Sequence, residues 1–204
     1  MNIDKRLIRY EKLEIDDLTT LVENLSEHQW SADKVLRTAL ATNRPGDAIY
    51  LLNNVHHQVR KDANAEFTAG KVNVLRFPAW HNAASMVEPI IKNLPSAYAN
   101  SNAVRVQLAR LRPDETIQPH VDKSYLTLMH RLHIPVLTDK RVEFIVDKRS
   151  FALEKGYLYE LNNMREHAVY NRSTIDRVHL MIDLLPESTA RVKYHDSIAS
   201  MARG

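Results

Sequence analysis

Six residues in the second half of this 204-residue chain have the types and spacing to do chemistry: His120, Asp122, Arg131, His133, His167 and Arg177. Two neutral imidazoles and one carboxylate occupy one face of a divalent ion and leave three adjacent positions open. That arrangement suits iron(II) oxygenase chemistry. Zinc accepts the same ligands, so the donor set alone leaves the metal open. His120 and Asp122 are two apart, and on an extended backbone such residues point to the same side. Chance supplies about 0.6 His-x-Asp pairs in a chain of this composition, so the pair by itself is a weak signal. His167 follows 45 residues after Asp122, and Arg177 ten after His167.

Arg177 opens the run RVHLMIDLL. A buried arginine needs a partner, and a guanidinium fits a carboxylate in a bidentate pair, such as the distal carboxylate of 2-oxoglutarate. Asp176 and Asp183 are near in sequence, so a surface salt bridge is the alternative. Arg131 and His133 form another i, i+2 pair, with Leu132, Ile134 and Val136 alternating to the other side. That polar face reads either as a wet, ligand-filled pocket or as a solvent-facing sheet surface.

The elements that must position these groups are mostly strands. An edge strand is expected around Leu7 to Tyr10. IDDLTTLVENLSEHQW from Ile15 reads as a helix capped by Asp16 or Asp17, with Leu18, Leu21, Val22 and Leu25 on one face. Ala48 to Leu52 and Val72 to Phe77 read as strands, and Asn53 to Gly70 as a polar loop. HNAASMVEPIIKNLP suggests a second helix, limited by Pro89. From Ala103 the period changes to two. Strands are expected over Val104 to Leu111, His130 to Leu137, Arg141 to Val146, Tyr157 to Leu161, Glu166 to Tyr170 and Arg177 to Leu185. The basic stretch Lys140 to Arg149 reads as a solvated hairpin. A second hairpin, turning at Asn162-Asn163, would present His167 at its mouth, opposite a loop carrying His120. The expected fold is mainly β, a jelly roll of the cupin-like kind, with N-terminal helices buttressing one sheet. One domain is expected: residues 1–102 as support, 103–186 as the catalytic core and 187–204 as a loosely held tail.

PHVD, RLHIPV, KGYLYELNNMREHAVYN and RVHLMID, spread over residues 103–186, together resemble the aspartyl/asparaginyl β-hydroxylase family of iron(II)/2-oxoglutarate oxygenases. The joint pattern is far more specific than any piece. The resemblance implies a double-stranded β-helix with His120, Asp122 and His167 on iron. It further implies Arg177 on the distal carboxylate of 2-oxoglutarate, with Arg131 and His133 contacting that co-substrate near the metal. Dioxygen would complete the reaction, giving succinate and CO2. Some members lack the acidic ligand; Asp122 is present here and argues against halogenation. Ala109 stands where some members place a serine. The resemblance also implies an amino acid as substrate, free or in a peptide, and Tyr125, Arg110, Trp80 and Asn163 are candidates for lining its pocket.

Composition narrows the rest. A net charge of +3 with no basic stripe argues against a nucleic-acid partner. The absence of cysteine removes disulfides, thiolate catalysis and Cys-type zinc sites. No secretory signal and no apolar run of membrane-spanning length is visible, so a cytoplasmic enzyme is expected. Two other readings use the same residues differently: a cupin-like metal enzyme that does not use 2-oxoglutarate, and a noncatalytic jelly-roll binding module.

Overall fold

The computed structural model describes residues 5–31, 45–54 and 70–196. Its elements run β1 (Leu7–Lys12), α1 (Asp16–Glu23), α2 (Glu27–Ser31), β2 (Asp47–Asn54), β3 (Lys71–Arg76) and α3 (Pro78–Lys92). They continue with β4 (Ser101–Leu111), β5 (Thr116–His120), β6 (His130–Leu137), β7 (Val142–Val146), β8 (Arg149–Phe151), β9 (Tyr157–Leu161), β10 (His167–Asn171), β11 (Arg177–Pro186) and β12 (Arg191–His195). Eight strands form one sheet in the order β1-β9-β6-β11-β4-β2-β3-β12, and four form the other, β5-β10-β7-β8. All neighbours are antiparallel except β12 and β3. Val142, Phe144, Val146 and Val169 of the small sheet pack on Leu111, Tyr159 and Leu161 of the large one, so the sheets close face to face as a double-stranded β-helix.

The larger apolar core lies outside that sandwich. Val104, Val106 and Leu108 of β4, Leu132, Ile134 and Val136 of β6, and Val178, Leu180, Ile182 and Leu184 of β11 all face outward. They meet Leu18 and Val22 of α1, Trp30 of α2, and Trp80, Ala83, Val87 and Ile90 of α3. Each Val, Leu and Ile among them contributes about 1.5–3 kcal/mol on burial. This is the helical buttress expected from the sequence. The consequence for chemistry follows from the strand period. With the even-numbered residues of β11 in the outer core, Arg177, His179, Met181 and Asp183 must face inward, between the sheets.

Several local readings need correction. The N-cap of α1 is Ile15, with no side-chain cap; Asp16 and Asp17 sit in the first turn, where they complement the helix dipole. Pro78 opens α3, and the helix runs through Pro89 to Lys92. Asn53 and Asn54 are buried residues of β2 rather than the start of a loop; residues 55–69 of that expected loop lie outside the described residues. The expected loose tail is ordered through β12, which pairs with β3; residues 197–204 lie outside the described residues. The basic hairpin is β7–β8, turned by Asp147 and Lys148, both at positive φ, as a two-residue turn of this hand requires. The second expected hairpin does not form. β9 pairs with β1 and β6, whereas β10 pairs with β5 and β7, so the chain crosses between sheets at Asn162-Asn163.

Gly46, at φ +86, leads into β2 so close to β4 that a Cβ there would run into the Arg110 carbonyl oxygen. This allows the start of β2 to lie close against β4. Among the described residues no helix is long and apolar enough to cross a membrane.

Candidate active site

The crossover and the end of β5 bring His120, Asp122 and His167 together. One ligand atom from each lies within 4.8 Å of the others. His120 ends β5, His167 begins β10, and the two are register partners with ring centroids 4.2 Å apart. Each ring is oriented the same way. His120 Nδ1 is 2.8 Å from the Gln118 carbonyl oxygen, and His167 Nδ1 is 2.9 Å from that of Arg165. A carbonyl can only accept, so Nδ1 carries the proton and Nε2 keeps its lone pair for a metal. Burial takes the His167 imidazole down to about 4, so it is neutral at pH 7.

Asp122 is buried. Its backbone N–H donates to the Asn163 carbonyl at 3.0 Å, and Asn163 Nδ2 donates to the Leu126 carbonyl at 2.8 Å. One amide residue thus ties the ligand loop to the crossover and to the turn at Ser124–Leu128. The Asp122 carboxylate also pairs with Arg131. The same guanidinium grips Asp183 through Nε at 2.9 Å and Nη2 at 3.1 Å. Arg105 pairs with Asp183 as well. Burial works to raise the Asp183 carboxyl, and Arg105 and Arg131 more than reverse it, leaving it well below the usual range.

Arg177 lies deeper and is nearly inaccessible, at 2% exposure. Among the described residues it has no carboxylate partner. Its Nη2 donates to Nδ1 of His179 at 2.8 Å, and its Nε has no partner. Burial alone lowers it to about 9, which leaves it a cation at neutral pH. His133 Nδ1 is 3.4 Å from His179 Nδ1, and Phe144 stacks on the His179 ring. Both imidazoles are held well below their ordinary value, first by burial and then by the charge of Arg177. The inward polar face of β6 therefore lines a pocket rather than a solvent-facing surface.

A cavity of about 250 Å³ joins these groups. His120, His167, Arg131, His133 and Arg177 open onto it, with Tyr50 and Ala48 of β2 and Arg105, Gln107 and Ala109 of β4. Of the four candidate pocket residues, Arg110 reaches the wall. It is held there by Glu27, Asp47 and Asp176 and lies over the Trp30 ring. Trp80 belongs to the outer core on α3, because its strand-side neighbours are the outward residues. Tyr125 packs against the same core. Asn163 is a loop tie, as described. Sequence reasoning missed Arg105, Gln107 and His179, although the period-two alternation of β4 and β11 put all three on the cavity face.

The donor set fits a divalent metal, since both imidazoles are oriented by Nδ1 hydrogen bonds to backbone carbonyls, His167 is neutral, and the carboxylate is buried beside them. The buried, carboxylate-free Arg177 fits an organic anion. Fold and site together define a double-stranded β-helix protein with a His/Asp/His cluster and a buried arginine opening onto one cavity.

Residues 76–186, more than half of the chain, match the family described as Aspartyl/Asparaginyl beta-hydroxylase, and the chain belongs to that family. It is 30% identical over 125 residues to L-proline cis-4-hydroxylase of Rhizobium meliloti (strain 1021). That match covers 54% of this chain and 44% of the relative, so less than half of the relative's length is spanned. The viral collagen prolyl hydroxylase vCPH of Paramecium Bursaria Chlorella virus-1, in a 2OG complex, has the same fold. It superposes with a TM-score of 0.54 over 89% of this chain and 96% of that one, at 12% identity.

Proposed function

We propose that this protein is an iron(II)- and 2-oxoglutarate-dependent dioxygenase that hydroxylates an aliphatic carbon of an amino acid. The observation that carries the reading is the pairing of two features in one cavity. One is the oriented His120/Asp122/His167 cluster; the other is Arg177, a buried cation with no carboxylate partner. A metal enzyme acting on a neutral substrate has no use for the second. An uncompensated buried charge is costly, and a ligand carboxylate removes that cost.

In this reading His120, Asp122 and His167 hold iron(II). With dioxygen and 2-oxoglutarate, the metal supplies oxidative decarboxylation to succinate and CO2, coupled to hydroxylation of the substrate. Arg177 takes the distal carboxylate of the co-substrate, and His179 fixes the guanidinium toward it. His133 and Arg131 border the space between that carboxylate and the metal ligands. Arg131 also holds Asp122 in place, a positioning duty in addition to the co-substrate contact expected from the resemblance. The amino-acid substrate is supported by the proline hydroxylase relative.

The test is an anaerobic titration with iron(II), then 2-oxoglutarate, followed by the weak visible metal-to-ligand charge-transfer band. The band is expected in the wild type and absent from His167→Ala. Metal binding without the band would transfer the site to a cupin-like enzyme that does not use 2-oxoglutarate.

A further inference from the structure

Amino-acid hydroxylation leaves open whether the residue is free or held within a peptide. The strand β4 bears on this. Its residues Arg105, Gln107 and Ala109 face the cavity, while Val104, Val106 and Leu108 face the outer core. The β4–β11 register sets Arg105 opposite Asp183 and Leu111 opposite Arg177. Six residues of strand, about 20 Å, thus separate the Arg105 and Arg177 positions. Arg105 stands at the end where Arg131 joins Asp183 to the metal ligand Asp122.

Two features there are unused by the functions assigned so far. First, Asp183 already receives two parallel hydrogen bonds from Arg131, yet Arg105 leans on it too. Arg105 has no other ion-pair partner among the described residues, and its side chain is 13% exposed. Second, the Gln107 Oε1 is buried with no partner among the described residues, while its Nε2 faces the Met181 thioether, at 3.6 Å. A thioether is a weak acceptor. The amide therefore keeps its stronger acceptor for whatever enters the cavity.

Charge counting leads the same way. On the inward faces of β4, β6 and β11 and at the ligand loop, Arg105, Arg131 and Arg177 stand against Asp122 and Asp183; Arg110 and Arg112 form a separate cluster with Glu27, Asp47 and Asp176. A divalent metal and a dianionic co-substrate cancel one another. One positive charge remains, and its complement is one further carboxylate.

We infer that Arg105 and Gln107 form the subsite of the hydroxylated substrate, Arg105 binding its free α-carboxylate and Gln107 Oε1 accepting from its amino group, so the substrate is a free amino acid rather than a peptide residue. The inference rests on the 2-oxoglutarate reading above. A residue inside a peptide has no free α-carboxylate for Arg105, and it offers Gln107 Oε1 at most an amide N–H in place of an ammonium group.

The test uses the full chain with iron(II) and 2-oxoglutarate. Succinate release is measured above the substrate-free rate for the twenty standard L-amino acids and for the C-terminal amide of each. At least one free acid is expected to stimulate release, and its amide to show a kcat/KM lower by about 10-fold or more, the loss of a charged hydrogen bond. Arg105→Gln should raise the KM for that acid by about 10-fold, with half-saturating 2-oxoglutarate, read from the charge-transfer band, moved by less than about twofold. The amide comparison needs no variant and stands even if Arg105→Gln fails to fold. Amides as good as the acids would overturn the inference. So would silence from every free amino acid in a protein that shows the band. A protein that never shows the band fails one step earlier, at the 2-oxoglutarate reading itself.

Discussion

Arg177 donates its Nη2–H to Nδ1 of His179 across 2.8 Å, with both side chains buried. An arginine never accepts, so His179 must present Nδ1 as a lone pair and carry its proton on Nε2. The imidazole therefore works as an acceptor that aims a guanidinium. An asparagine places its oxygen near the Nδ1 position, and a glutamine near Nε2. His179→Asn is expected to keep half-saturating 2-oxoglutarate within about threefold of wild type. His179→Gln should raise it by about 10-fold, since a hydrogen bond to a charged group contributes about 1.5–3 kcal/mol. Titration of the iron-loaded variants against the visible band checks both. Equal behaviour of the two variants would mean that His179 fills space and nothing more.

Asn163 holds the ligand loop from below. Its carbonyl accepts from the Asp122 N–H, and its amide donates to the Leu126 carbonyl. Asn163→Ala keeps the first bond and loses the second, so the loop carrying Asp122 loosens. Iron(II) affinity is expected to fall by about 10–100-fold, the usual cost of losing an outer support of a metal ligand. A competition titration against a chelator of known affinity reads it. An unchanged affinity would show that Arg131 alone positions Asp122.

The clustering of His120, Asp122 and His167 was legible in the joint pattern of PHVD, RLHIPV, the His167 segment and RVHLMID, although the hairpin expected to present His167 does not form. The inward set on β11 went unread apart from Arg177, although alternation tells which face a residue takes. Partner identity is not local. Asp183 is near Arg177 in sequence, but six residues of strand are about 20 Å long. Asp183 instead meets Arg131 and Arg105, supplied by β6 and β4 through register. The β9–β10 segment read as a hairpin because two strands around an Asn-Asn pair look alike whether the chain turns back or changes sheet. Strand β5 was missed because Pro119 removes a backbone donor from a five-residue run, and β8 because it has only three residues.

Acid should loosen the helical buttress before the sandwich. Glu27 of α2 pairs with Arg110 and Arg112 of β4 and its end. Those hydrogen bonds lower its carboxyl to about 2, below the ordinary 4.5. A carboxyl depressed on folding stabilises the fold above its unfolded value, and that contribution is lost as pH falls from 4.5 towards 2. Glu27→Gln is expected to be less stable than wild type at neutral pH and to show a flatter loss of stability across that window. Thermal unfolding followed at a series of pH values measures the slope. An identical slope in the variant would assign the acid transition to other carboxylates.

Arg177 sets stability against function. Burial lowers its pKa to about 9, and no carboxylate among the described residues offsets it, so the ligand-free protein carries a buried charge at neutral pH. An apolar side chain of similar length removes that cost. Arg177→Met is therefore expected to raise the melting temperature of the ligand-free protein by a few degrees, about 1–2 kcal/mol at this size. The same variant should gain nothing from added ligand. In wild type, 2-oxoglutarate at about 100 times its dissociation constant, with manganese(II) in place of iron, should add about 2.7 kcal/mol, or roughly 5–10 °C. Scanning calorimetry on the two proteins, each with and without 2-oxoglutarate, gives all four values. If Arg177→Met destabilises the ligand-free protein, the guanidinium is a structural group, and the anion pocket loses its basis. If the variant is more stable yet deaf to 2-oxoglutarate, the charge is held in place for its ligand.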